Sequence, residues 1–346
     1  MWGTKLLALI VLLSYLVASG FYNHNFHVIG SCSVGTSERV STLHENHSPI
    51  IIDGDSEFAV HADLESWPGD GTEDTPYIIS GLTIISPRTP SIKIQNTTVH
   101  FQIMNCVLNQ GRFGIWLAKV KNVYIINNSI ENSETGGIYV EDSKNNICLS
   151  NNVIVMPNNS GYGITIVRSW SSTLANNTVT NGRLDGISLW YTEDSTLFNN
   201  TVTNSDHGIS LYYSGNSQLS NNTIINCRGI YLANSGRSSL KNNLVTNNDE
   251  HGIFLLNSGG SILIGNQVID NNDHGIYLYN SSHCTVINNT IVRNGGEGIC
   301  FKDSENITLK GNTISVSYDF PFLQIFELGI VLFFAIVPIF RHRWKD

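Results

Sequence analysis

Apolar and polar positions alternate along this chain in short runs, and the runs recur. Gly275–Leu278, Cys284–Ile287 and Thr290–Val292 each set apolar residues against polar or aromatic ones. A period of two reads as strand, and no run is long enough for a helix of ordinary length. Gly-Ile pairs begin at Gly114, Gly137, Gly163, Gly186, Gly208, Gly229, Gly252, Gly275 and Gly298, at spacings of 23, 26, 23, 22, 21, 23, 23 and 23 residues. A second register runs beside the first. An asparagine stands two residues before an Ile or Val expected to point inward, at Asn105, Asn128, Asn152, Asn177, Asn200, Asn222, Asn243, Asn266, Asn289 and Asn312. Two signals locked to one period of this length mean a structural repeat.

Three short strands per repeat, with a turn residue at each corner, predict an all-β fold. It is a single-stranded, right-handed parallel β-helix of about ten coils, 21–26 residues each. Coils stack about 4.8 Å apart, so equivalent residues form columns. Ile115, Ile138, Ile164, Ile187, Ile209, Ile230, Ile253, Ile276 and Ile299 are expected to make one buried column, and the asparagines another. An amide both donates and accepts, so each Asn can bond the next and its own corner. Asn also tolerates the positive φ of a tight corner.

The tandem Gly-Ile-x-Leu and Asn-Asn-x-Ile pattern resembles the right-handed parallel β-helix repeat of NosD-like proteins. These belong to a wider group of β-helix proteins that bind or process carbohydrate. The resemblance spans roughly residues 48–317 and rests on residues that build coils. It implies the fold and its hand, and a link with copper-enzyme maturation. The chain itself has three methionines and no Met-rich or Cys-paired copper motif.

The ends of the chain differ from the repeats. Residues 1–22 carry Lys5, an apolar run and Ser19-Gly20, and read as a signal peptide or an N-terminal anchor. Residues 23–47 read as a linker, and 48–90 as an N-terminal cap with the first coil. The repeats fill 91–317. Residues 320–340 are apolar enough to cross a bilayer, and the basic stretch 341–346 predicts a cytoplasmic C-terminus. The β-helix is then expected outside the cell membrane. A net charge of −9 argues against nucleic acid as a partner. The cysteines at 32, 106, 148, 227, 284 and 300 form no C-x-x-C pair, and their spacing assigns no disulfide. Asn-x-Ser/Thr sequons outside the asparagine column, such as Asn46, Asn96, Asn158, Asn280 and Asn306, are candidate glycan sites in an exported chain.

Three sets of side chains carry candidate chemistry. In the cap, Asp70, Glu73 and Asp74 offer carboxylates suited to Ca²⁺, or simply make a turn. On the outer face, Trp116, Tyr139, Trp190, Tyr212, Tyr231, Phe254, Tyr277 and Tyr279 are expected to share one flank. Such a flank suits stacking on sugar rings or a surface-protein partner, or only stiffens its column. Beside each Gly corner stand Asp185, Asp206, His207, Glu250, His251, Asp273, His274 and Glu297, which read as an acid–base or metal site or as solvated turns. His251 and His274, one coil apart, are the candidate pair for Zn²⁺ or Cu²⁺. Three functions stay open. One is a membrane-anchored protein that binds carbohydrate or a surface partner. Another is a polysaccharide lyase, epimerase or hydrolase, although the ordered Asp-pair, Gly-His-Gly and Arg-Ile-Lys signatures of the polygalacturonase group are absent. The third is a metal-handling protein of the NosD kind.

Overall fold

A computed structural model describes residues 46–316. They wind into a right-handed parallel β-helix of about ten turns. Its three faces are three parallel sheets. The Gly-Ile sheet has eleven strands, from Ile50–Asp53 to Ile299–Lys302. The serine sheet has eleven, from Tyr77–Ser80 to Thr308–Lys310, and the asparagine sheet twelve, from Asn46–His47 to Thr313–Val316. Stacking is in register: Ile187 faces Ile209, Leu189 faces Leu211, and Trp190 faces Tyr212. Strand Asn46–His47 pairs with Thr83 and Ile84, so the first coil begins inside the segment expected to be linker.

The expected isoleucine column from Ile115 to Ile276 is fully buried, and Ile299 is half-buried at the last coil. The asparagine column forms a continuous ladder. Asn222 Oδ1 accepts from Asn200 N at 2.9 Å and from Asn200 Nδ2 at 3.0 Å. Its Nδ2 donates to the Leu197 carbonyl and to Asn243 Oδ1, both at 3.0 Å. Two details correct the sequence reading. Positive φ belongs to the first Asn of each pair, such as Asn199 or Asn221, which is exposed, and the ladder belongs to the second. Asn105 is a corner residue of the first kind, at φ 55, and Cys106 takes its place in the column by donating its N–H to Asn128 Oδ1 at 3.0 Å.

Other ladders carry no such signature. At the corner after the Gly-Ile sheet, Ser214 N–H donates to Ser235 Oγ and Ser235 N–H to Ser258 Oγ, both at 2.9 Å. A second amide ladder joins Asn248, Asn271 and Asn294, and is preceded in its column by Cys227, whose N–H donates to Asn248 Oδ1 at 2.9 Å.

Helix α1, Asp55–Leu64, packs against the first strand of the Gly-Ile sheet. The alternation of the repeats gave no warning of it, because the segment has its own rule. Phe58 and Ala62, four apart, bury one face. Asp55 and Glu57 sit in the first turn, where a helix favours negative charge. The Phe58 ring lies 5.2 Å from Tyr77 and 5.1 Å from Phe101. The helix thus plugs the core at its first coil, where open backbone and apolar ends need cover.

The cap carboxylates do not gather. Asp70 Oδ1 accepts from the Thr72 amide at 3.0 Å and from the hydroxyls of Thr72 and Thr75, so it organises the turn itself. Cys106, Cys227 and Cys284 are free and buried, acting as small core residues. No helix among the described residues is long and apolar enough to cross a membrane, and the segments 1–22, 320–340 and 341–346 lie outside those residues.

Candidate functional site on the outer Gly-Ile face

The corner before each Gly-Ile strand is tight for a packing reason. A Cβ on Gly208 would lie 2.3 Å from Ile224 Cγ2 and 2.8 Å from the Gly229 carbonyl oxygen. Only glycine lets the corner approach the core that closely. The residue before each glycine therefore turns outward. In register, these residues are Tyr162, Asp185, His207, Arg228, His251, His274 and Glu297.

This column holds a continuous polar network. Asp185, only 5% exposed, lies 3.1 Å from His207 Nδ1. Asp206 lies 3.8 Å from the same nitrogen and 2.9 Å from Arg228 Nε, and Arg228 Nε reaches Glu250 at 3.5 Å. Burial pulls the His207 pKa down, but the Asp185 hydrogen bond and the charges of Asp185 and Asp206 outweigh it, so the ring titrates above its ordinary value. The His207 ring also stacks on Tyr231 at 5.5 Å.

Further along, the expected histidine pair does not converge on one point. The His251 and His274 rings are stacked at 5.3 Å and 11°, so their nitrogens point in nearly parallel planes. His251 Nδ1 is sealed from solvent without a hydrogen bond, and Asp273 Oδ2, 3.4 Å away, is out of line. Burial lowers the His251 pKa despite that carboxylate. His274 instead gathers with Glu297 and Cys300, whose ligand atoms all lie within 4.8 Å of one another. Cys300 was missed because its register position two residues after Gly298 is filled in other coils by aromatic or hydroxyl side chains. Burial and the Glu297 carboxylate push its thiol up to about 11. His274 Nδ1 accepts from the Glu297 amide at 2.9 Å. A metal bound through this ring exchanges that hydrogen bond for a ligand bond, whichever nitrogen it takes.

The eight aromatics do not make one flank. Trp116 and Tyr139 pack with Phe113, and Trp116 lies under Lys93 Nζ at 4.5 Å. Thr165, Ser188 and Ser210 then interrupt the column. Beside the gap, on the same strands as Ser188 and Ser210, Trp190 and Tyr212 stack at 3.9 Å, and beyond it Tyr231, Phe254 and Tyr277 follow one another at 5.3 and 5.0 Å. Tyr279 stands beside Tyr277 at 6.2 Å. Most of these rings are half-buried against one another, as column stiffeners are.

The sequence pattern described as "Periplasmic copper-binding protein (NosD)" matches residues 70–227 and 181–320, which together exceed half of the chain. The chain belongs to the NosD family. No curated protein matches it in sequence. Among solved structures, this NosD-family chain is similar to a variant of the periplasmic alginate epimerase AlgG, at 15% identity and a TM-score of 0.50, over 76% of this chain and 83% of that one. The A-module of the Azotobacter vinelandii mannuronan C-5 epimerase AlgE4 is 12% identical with a TM-score of 0.49, over 69% and 88% of the two chains. A polygalacturonase from Erwinia carotovora is 12% identical with a TM-score of 0.42, over 81% and 100%. At 15% identity, the likeness to the AlgG variant shows a shared fold and says nothing about substrate.

Proposed function

We propose that this chain is an extracytoplasmic copper-binding solenoid, with His274, Glu297 and Cys300 as its metal ligands. One observation carries the reading: three donors of different kinds converge on the outer face of a NosD-family β-helix. Imidazole and thiolate favour copper over hard cations such as calcium. The residues present therefore fit the metal named in the family's description. The cost is the Glu297 amide bond to His274, which predicts exchangeable rather than permanent binding. A bound ion there supplies a reversible store of copper at a surface. The periplasmic description of the family supports placing the domain outside the cytoplasm. Retention by a 320–340 membrane span belongs to the same reading, and protease treatment of intact cells tests it.

The metal reading is tested by titrating the full chain with Cu²⁺ and following absorption. One equivalent should raise a thiolate-to-copper band that Cys300→Ser removes and His274→Ala weakens. A wild type without the band, or a Cys300→Ser variant that keeps it, contradicts the proposal.

A further inference from the structure

The two ends of the core are finished differently. At the first coil, helix α1 lays Phe58 over the core, and that ring is fully buried. At the last coil, three core columns stop in the open. Phe301 continues the column of the fully buried Leu255 and Leu278, yet it is 52% exposed. Leu309 continues Leu263 and Val286 and is 47% exposed. Ile314 continues Val268 and Ile291 and is 48% exposed. Among the described residues, no helix or strand lies over them.

The same coil ends all three sheets. Strands Ile299–Lys302, Thr308–Lys310 and Thr313–Val316 each have a neighbour on one side only. Their free edges present peptide N–H and C=O groups, which invite pairing with another chain. A cover for this end must accept apolar side chains and peptide groups together. The headgroup layer of a bilayer does both, whereas its hydrocarbon interior does not tolerate an open sheet edge. The course of the chain brings a bilayer within reach. The apolar segment 320–340, outside the described residues, begins four residues beyond Val316. Four residues reach roughly 14 Å when fully extended. The headgroup layer is about 6 Å deep on each side, so a span starting there holds the last coil against it. Charge does not set this contact, because Lys302 and Lys310 are matched on the same coil by Asp303 and Glu305.

We propose that the open last coil is a seat for the phospholipid headgroup layer, with Phe301, Leu309 and Ile314 against the lipid. The proposal rests on the 320–340 membrane span of the preceding reading and adds the surface by which the β-helix meets the bilayer. It also gives the candidate metal ligands a place. Glu297 and Cys300 belong to the last coil, and His274 to the coil before it, about 4.8 Å further from the lipid. An ion leaving these ligands is then released at the membrane surface.

The test is tryptophan fluorescence of the full chain in phosphatidylcholine vesicles, with and without lipids that carry a nitroxide on the headgroup. The emission added by Phe301→Trp should fall at least twofold when the nitroxide is present. Leu309→Trp repeats the measurement from a second strand. Phe198→Trp stands on the serine sheet five coils away, about 24 Å from the open end, and its added emission should not fall. Adding phosphatidylglycerol should change none of these results, and quenching that appears only with that anionic lipid contradicts an apolar seat. Extraction of the same vesicles with alkaline carbonate separates the two claims. A chain that stays in the bilayer while both end variants go unquenched overturns the seat alone, and leaves the open columns to a second copy of the chain. A chain that carbonate removes overturns the membrane span, and the seat with it.

Discussion

Two corners of the same coil obey opposite rules. The corner entering the asparagine sheet repeats one residue: Asn128, Asn152, Asn177, Asn200, Asn222, Asn243, Asn266 and Asn289 are all buried and bonded to the next. The corner before the Gly-Ile sheet repeats only its glycine, while the residue ahead of it runs through Tyr162, Asp185, His207, Arg228, His251, His274 and Glu297. The first corner must satisfy buried backbone groups in coil after coil, and an amide does so with both its donor and its acceptor. The second needs glycine for close approach and leaves its neighbour free. Uniform columns therefore hold the stack, and irregular columns are where chemistry can vary.

The sharpest way to break that comparison is inside the uniform column. Asn222→Ala strands the Asn200 amide and the Leu197 carbonyl, at about 1–3 kcal/mol for each group. Chemical denaturation should show that loss, and copper binding by the folded fraction should not change. Gly208→Ala tests the glycine at the second corner. Its methyl must displace Ile224 and the next coil, at about 1–3 kcal/mol. An unchanged denaturation midpoint would mean that the glycine is not set by packing.

The sign should reverse where an irregular position is strained. Tyr191→Asn and Tyr213→Asn, at φ 52 and 51, should each stabilise by about 1 kcal/mol, read from thermal melts. The smallest expected effect is the pH dependence of His207. Its folded pKa is raised, so its contribution is complete below the ordinary histidine value of 6.5 and fades as pH rises through the folded value. Wild type should exceed His207→Gln in stability by more at pH 5.5 than at pH 9. A gap independent of pH would mean that the Asp185 contact does not hold the charged ring.

The coil architecture was legible because every coil solves the same problem with the same residues. Ile187, Ile209 and Ile230 announce one another by spacing alone. The serine ladders were not legible, since serine is frequent along the chain in other roles and only the register of Ser214 and Ser235 shows the bond. Helix α1 escaped because Phe58 and Ala62 occur once and set no period. At the candidate sites the residue types were legible and their geometry was not. Spacing placed His251 beside His274, but only the structure shows that the two rings stack and that His274 gathers with Glu297 and Cys300. Asp185 looked like a turn residue, and only the structure shows it buried and in contact with His207.

One paired measurement tests the division between holding and binding most directly. Cys227 stands in a buried ladder that bonds the backbone, with its N–H on Asn248 Oδ1, while Cys300 stands in an outer column beside His274 and Glu297. Thermal melting and Cu²⁺ calorimetry on Cys227→Ser and Cys300→Ser should separate cleanly. Cys227→Ser should lower the melting temperature and keep copper binding, and Cys300→Ser should keep the melting temperature and lose copper binding. Copper binding that survives in Cys300→Ser, or that disappears in a folded Cys227→Ser, would contradict the account.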